Sequence, residues 1–372
     1  MLTTVIMVKN EERTIKATLS PLLKAKLKHF FILDTGSTDN TLAITHQLLR
    51  EHDAIYHLVQ EPFIDFSTSR NRALTLAENA FPTIPFMLMP DAEWHLCNVE
   101  ELLTFCHQQL QSDCPLFLIK CIMNNSLNFY TARLFRTTAK IRFAGVVHEA
   151  PIVATETKVP DNIYFDHQPS QQSAQSSRIR WEKDLDLLLK EYHLSKQPRT
   201  TFYLAQTYEC LGRFNEAYDY YQLRSQMKGW DEETFIAAFK LGQLAEHLSK
   251  SNNRFSWEIA QQHYHQAFAL RPQRVDPLIH IASHYWPDNI PLCYLYIRHA
   301  CDAPYPTKDI IFVEKSLYDY TRFEILSRCA WYVGEYEQGL AATKKALAVC
   351  PDTPHLLSNL KIYEDHLIKK TE

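Results

Sequence analysis

Four short clusters of polar residues sit where apolar runs end. Val8-Lys9-Asn10-Glu11-Glu12 closes the first run and Asp34-Thr35-Gly36-Ser37-Thr38-Asp39-Asn40-Thr41 the second. Ser69-Arg70-Asn71-Arg72 lies at the opening of a helical stretch, and Met89-Pro90-Asp91-Ala92-Glu93-Trp94 ends another apolar run. In the second cluster Asp34 and Asp39 supply carboxylates, and Gly36 lets the backbone bend. A turn built of Asp, Ser and Thr suits hydrogen-bonded recognition of a sugar or a base. It lacks the glycine-rich character of a dinucleotide or phosphate-loop fingerprint. Asp91 and Glu93, at i and i+2, are two oxygen donors that can hold a divalent cation beside a diphosphate. Magnesium or manganese suits such donors, acting as a Lewis acid on the leaving group. On a surface loop D-x-E usually means solvation; its place after a buried strand is what gives it weight. Arg70 and Asn71, at the positive end of a helix dipole, favour phosphate oxygens, the alternative being a solvated helix face. Asp39 also suits the cap of the helix that follows.

The elements that must position these clusters alternate over residues 1–167. Strands are expected at Thr3–Val8, Phe30–Asp34, Ala54–Val59, Ile84–Met89, Leu116–Cys121 and Phe129–Phe135, with helices at Glu11–Lys26, Asp39–Glu51, Ser67–Asn79 and Val99–Gln111. Short apolar strands separated by helices predict an α/β fold, a Rossmann-like, mostly parallel sheet that binds ligands at the carboxyl ends of its strands. Residues 168–177, polar and poor in hydrophobics, read as a linker or mobile loop. Residues 178–372 read as all-helical. Leu204, Ala205, Tyr208, Gly212, Ala217 and Tyr221 have tetratricopeptide-like spacing; Leu241, Gly242, Ala245, Ala260, Tyr264, Ala267 and Pro272 repeat it, with Lys250–Phe255 as an insertion. Phe323, Leu326, Ala330, Gly334, Gly339, Ala346 and Pro351 form another copy, and Asp276–Ala303 a degenerate pair.

The 372 residues favour two domains, and 46% hydrophobic content is enough for packed cores. A formal charge of −4 without blocks of like charge argues against a dedicated nucleic-acid binder. Nine cysteines without a C-x-x-C pair read as free thiols of a reducing compartment. No apolar run approaches the ~18 residues that span a membrane, and the first residues read as a buried strand rather than a signal peptide. A cytoplasmic protein is expected.

Taken in order and approximate spacing, Met7–Glu12, Leu33–Thr41, Ser69–Leu74 and Pro90–Glu93 resemble family 2 glycosyltransferases with the GT-A fold, in particular those whose catalytic domain is followed by tetratricopeptide helices. The resemblance implies a nucleoside-diphosphate sugar donor, usually uridine-based, a Mn2+ or Mg2+ ion, and inversion at the anomeric carbon. Carried over by position, Val8, Asn10, Glu12, Asp34, Gly36, Ser37 and Asp39 line the nucleoside pocket, Pro90 and Ala92 flank it, and Arg70 and Asn71 reach the ribose or diphosphate. Asp91 and Glu93 stand where the family has D-x-D. Glu93 is longer than the second Asp by one methylene, so it touches the metal directly, acts through water, or contacts the sugar. His148, in Arg142–Glu149, is a third metal-ligand candidate, or else a hydrogen-bonded strand-end histidine. Inversion needs a general base. Glu149 is the candidate by position, or it orients His148; Asp161 and Asp166 are alternatives.

The function expected is metal-dependent transfer of a sugar from a UDP-type donor to an acceptor hydroxyl or side chain, with Asp91 at the chemistry. The acceptor is open: protein, glycan, lipid or small molecule. The rival is an inactive transferase-like scaffold that binds a partner through its repeats. A weaker third is a nucleotidyltransferase. A homodimer through the helices is also possible. His280 and His284, at i and i+4, lack the intervening Glu of a zinc motif and read as core or surface residues. Part of the tyrosine surplus in 285–320 could line an acceptor groove.

Overall fold

The computed structural model describes residues 1–124, 126–153, 155–167, 174–252 and 254–371. The chain forms two compact units, Met1–Ser195 and Lys196–Glu372.

In the first unit, strands β1 (Leu2–Val8), β2 (His29–Asp34), β3 (Ile55–Gln60) and β4 (Phe86–Leu88) lie parallel in the order β3-β2-β1-β4. Helices α1 (Ile15–Lys24), α2 (Thr41–Glu51) and α3 (Phe66–Ala80) connect them. The central strands are runs of Val, Ile and Phe because both their faces are covered; β2 has five consecutive buried residues, whereas the edge strand β3 has none. The carboxyl ends of β1, β2 and β4 therefore open on one edge, as the expected α/β fold requires.

Beyond β4 the sheet changes direction. After β5 (Trp94–Cys97) and helix α4 (Val99–Gln108) come β6 (Leu116–Met123) and β7 (Leu127–Arg136), which form a long antiparallel hairpin that joins the sheet through β4 and β7. A small ribbon, β8 (Phe143–Ala144) with β9 (Ala150–Pro151), follows. Then β10 (Thr157–Lys158) and β11 (Tyr164–His167) pair with β6, and β11 closes antiparallel on β5. Strands β5 and β8–β11 escape a reading by apolar runs because they are short and mixed in polarity. Ile6, Ile32, Phe86, Leu88, Phe117, Ile119 and Leu134 from the sheet meet Leu19, Leu22 and Leu102 from α1 and α4 in one core.

Of the segment expected to be a linker, residues 168–173 lie outside the described residues. Residues 174–177 are helical: α5 runs Ala174–Leu194 and belongs to the first unit. Its polar first turn hid the helix from a reading that looks for hydrophobic residues.

The second unit stacks antiparallel helix pairs: α6 (Pro198–Cys210) with α7 (Phe214–Gln226), α8 (Asp231–Asn252) with α9 (Trp257–Leu270), α10 (Asp276–Tyr285) with α11 (Ile290–Asp302), and α12 (Arg322–Cys329) with α13 (Tyr336–Val349), followed by α14 (Pro354–Thr371). The inserted residues after Ser249 extend α8 to Asn252. Gly212 and Gly334 follow α6 and the turn after α12 with φ +73° and +79°, a conformation that costs glycine nothing. Gly242 and Gly339 serve differently. A Cβ on Gly242 would stand 2.5 Å from the Tyr264 ring, and one on Gly339 2.2 Å from Tyr363. No helix in the described residues is long and apolar enough to cross a membrane.

Tyr363 is 1% exposed and its hydroxyl donates to the Ser327 carbonyl at 2.8 Å, so the ring has nowhere to move. Gly339→Ala is expected to cost about 1–3 kcal/mol. Thermal unfolding checks this: the melting temperature should fall by several degrees, and an unchanged value would contradict the close crossing.

Candidate functional site

The first two polar clusters are one structure. Asn10, at φ +58°, donates its backbone N–H to Ser37 Oγ (3.0 Å), and its Oδ1 accepts from the Thr38 N–H (2.8 Å). The Glu11 N–H donates to Thr41 Oγ1 (2.7 Å) and the Glu12 N–H to Asp39 Oδ2 (3.2 Å). Glu12 Oε2 in turn accepts from the Asn40 N–H (3.1 Å). The Val8 carbonyl accepts both the N–H (2.9 Å) and the hydroxyl (3.1 Å) of Thr35. Parallel neighbours β1 and β2 thus end in two loops laced by reciprocal bonds.

Asp34 holds the turn from inside. It is fully buried, and its carboxylate accepts from the N–H groups of Gly36 (3.3 Å) and Ser37 (3.1 Å) and from Gln60 Nε2 (3.1 Å). Asp34, expected to line a nucleoside pocket, shapes the turn from inside. Gly36 is exposed, at φ +102°. Asp39 accepts from the Thr41 N–H at 3.0 Å, one residue before the assigned cap Asn40. Burial pushes the Asp39 carboxyl up, but the bonds from Thr41 and Glu12 outweigh this and hold it below its ordinary range.

Helix α3 is capped by Asp65, whose side chain accepts from the Thr68 N–H at 2.7 Å, rather than by the serines and threonine that follow. That start places Ser69 and Arg70 on the buried face. Arg70 Nη2 donates to Asp91 Oδ1 (3.0 Å) and Arg70 Nε to Glu149 Oε1 (2.6 Å). The other Asp91 oxygen accepts from Arg133 Nη2 (3.0 Å). The Arg133 guanidinium lies 4.9 Å over the Trp94 ring and 5.8 Å from that of Phe143. Burial would raise the Asp91 carboxyl, but Arg133 and Arg70 outweigh burial and hold it at about 2.

Arg133 is the residue that the sequence reading missed. The available signal was an arginine inside the apolar strand Ala132-Arg133-Leu134-Phe135, where an unpaired charge would be costly. Asn71 is placed by the fold away from ligand duty: its amide donates to the Phe143 carbonyl (2.9 Å) and accepts from the Phe143 N–H (2.7 Å), pinning β8 to α3. Pro90 and Ala92 are buried, and the Ala92 carbonyl accepts from Thr18 Oγ1. Glu149, with only 7% of its side chain exposed and Oε1 on Arg70, is an anchor of that arginine; this arrangement does not suit it to take a proton from an acceptor. The alternatives differ: Asp161 is exposed and accepts from Tyr130, while Asp166 is half-buried in β11.

The expected metal ligands fit a cation unequally. Both oxygens of Asp91 are on guanidinium groups. Glu93 is partly exposed and its Oε1 lies 3.1 Å from His167 Nε2. His148 is exposed in the β8–β9 turn at φ +54°. Among the described residues no three His, Cys, Asp or Glu side chains assemble as a ready metal cage. A magnesium-type ion on a diphosphate needs only one or two carboxylates. The neighbourhood has negative charge to offset: Glu11 is raised by burial, against a bond from Thr14, and further by Glu93, Asp39 and Asp91. His280 and His284 belong to ring packing instead, against Tyr264 and Trp257. The nine cysteines are free thiols.

Residues 3–95 match the family described as Glycosyl transferase family 2. The chain is 24% identical over 253 residues to the SPbeta prophage-derived glycosyltransferase SunS of Bacillus subtilis (strain 168), covering 63% of this chain and 56% of that protein. It thus spans little more than half the length of this curated relative. Among solved structures, residues 1–349 of S. aureus TarS in complex with UDP-GlcNAc superpose with TM-score 0.36 at 15% identity, covering 77% of this chain and 88% of that one. The C-terminal part of a TPR repeat-containing protein from Cytophaga hutchinsonii gives TM-score 0.39 at 16% identity, covering 54% and 72%.

The depressed Asp91 carboxyl fixes a pH dependence. Its folded value lies below the ordinary ~3.9, so its contribution is complete above that value and is lost as pH falls toward about 2. In urea unfolding, the stability gap between the parent protein and Asp91→Asn should be constant from neutral pH to about pH 5 and narrow toward pH 3. A gap independent of pH would contradict the double arginine pairing.

Proposed function

We propose that the family 2 domain transfers a sugar from a nucleoside-diphosphate donor, UDP-linked, to an acceptor hydroxyl or side chain, with inversion at the anomeric carbon. One observation carries the reading: at the carboxyl edge of β1, β2 and β4, an interlocked pair of polar loops stands on neighbouring strand ends, and the β4 end carries Asp91 bound by two arginines. Such an edge is where open α/β sheets take ligands. The laced loops offer exposed Asn10, Gly36 and Thr38 to a nucleoside. Arg70 and Arg133 are the cations for a diphosphate.

The divalent cation belongs to this proposal, with Glu93 and His148 as the residues that would hold it. When bound, it would offset charge on the departing nucleoside diphosphate. Asp91 serves as the fixed partner of the two arginines. The general base is left to the acceptor side of the site, since Glu149 is bound to Arg70.

Thermal unfolding with UDP-GlcNAc, UDP-glucose or UDP-galactose and manganese tests the donor. A nucleotide at a hundredfold over its Kd should raise the melting temperature by about 5 °C. Turnover should release UDP rather than pyrophosphate. Arg133→Ala, which exchanges a phosphate-binding cation for nothing, should lower kcat/KM at least about a hundredfold, comparable to losing a charged hydrogen bond of ~3 kcal/mol. If none of the three donors moves the melting temperature with metal present, the reading fails. Glu93→Gln should abolish the manganese dependence of UDP binding; a dependence that survives would remove Glu93 from the metal.

A further inference from the structure

The helical unit contains a cavity of about 500 Å3, within the size range of small-ligand sites. Its walls come from the end of α10, from α12 and the turn Ala330–Val333 after it, and from the terminal helix α14. Trp286 and Tyr332 form an aromatic corner, with ring centroids 6.1 Å apart and planes at 58°. Tyr332 is 65% exposed, although a large ring gains by burial.

Glu324, Arg328, His355 and Asn359 line the same cavity, together with Trp331 and Tyr363. Glu324 Oε2 accepts from Arg328 Nη2 (3.0 Å), and Glu324 Oε1 lies 3.0 Å from His355 Nε2. The Asn359 amide donates to Ser327 Oγ at 3.1 Å. The charge in the wall is therefore balanced internally: the guanidinium and the carboxylate answer each other. An anionic ligand meets no uncompensated positive group. A cationic ligand finds the Trp286 face already taken, because the Arg328 guanidinium lies 5.1 Å over that ring.

What this lining recognises is a neutral ligand with two kinds of surface. Planar carboxylate, guanidinium and amide groups can share hydrogen bonds with adjacent hydroxyls. An exposed aromatic ring, with its negative π face, attracts the weakly positive C–H face of a pyranose. We infer that this cavity is a binding site for a neutral pyranose saccharide. The inference concerns the helical unit alone and stands whether or not the N-terminal domain is active.

Saturation-transfer NMR and tryptophan fluorescence on the full chain test it, with maltotriose, cellotriose and tri-N-acetylchitotriose as probes and a heparin disaccharide and choline as charged comparators. At least one neutral trisaccharide should bind while both comparators stay silent. Tyr332→Ala, an exposed position that should leave the melting temperature intact, should weaken that binding about tenfold, and Asn359→Ala should weaken it too. Adding UDP in parallel reads the donor site separately, so loss of one signal is distinguishable from loss of the other. The inference is overturned if all three neutral sugars are silent, if binding is unchanged in both variants, or if a neutral decapeptide binds at these residues and the sugars do not.

Discussion

The N-terminal domain is organised around one carboxylate shared by two arginines. Asp91 joins Arg70 of α3 to Arg133 of β7, and Arg70 reaches on to Glu149 beside the small ribbon. Two positive and two negative groups balance, with Arg70, Arg133 and Glu149 buried and the Asp91 side chain 34% exposed. Pairs of this kind seldom add stability over well-packed apolar groups, yet removing a single member leaves its partner charged and unanswered. Their effect is therefore positional. The parallel half of the sheet, the antiparallel hairpin and the ribbon must arrive together for the charges to cancel, and the end of β4 is fixed as they do so.

The helical unit obtains its order by a different route. Its joints are steric: glycine on one helix accepts a tyrosine ring from the next at Gly242 and Gly339, and those rings then spend their hydroxyls on fixed partners, Glu246 for Tyr264 and the Ser327 carbonyl for Tyr363. Close approach and a directional bond at the same residue set both the spacing and the rotation of adjacent helices. Charge enters as a supplement, as where buried Arg274 is held by Asp276 and Asp309.

What was legible in the sequence follows from which physical signals are local. Strands β1 and β2 and helices α2 and α3 announce themselves through apolar runs and periodicity, and the glycine–tyrosine spacing announces the repeats. The four polar clusters were legible as neighbours at one sheet edge because strand ends converge in any parallel sheet. Partner choice was not. That Asn71 would clasp the backbone of Phe143, that Glu149 would sit behind Arg70, or that Asp34 would turn inward depends on residues 26 to 79 positions away. Arg133 escaped for the same reason: its importance lies in Asp91, 42 residues earlier. The start of α5 escaped because a polar helix turn and a polar linker have the same composition.

The lacing between the ends of β1 and β2 has a consequence for how a ligand would be received. A loop of glycine, serine and threonine is ordinarily mobile, and a ligand that orders it surrenders part of its affinity to the entropy lost. Here Asp34, Asn10, Glu12 and Asp39 already hold the backbone with bonds of their own. The turn would meet a ligand in a finished shape. Recognition at this edge is then closer to lock-and-key than to folding upon binding, and its heat-capacity change would report the surface covered by the ligand rather than the ordering of the protein.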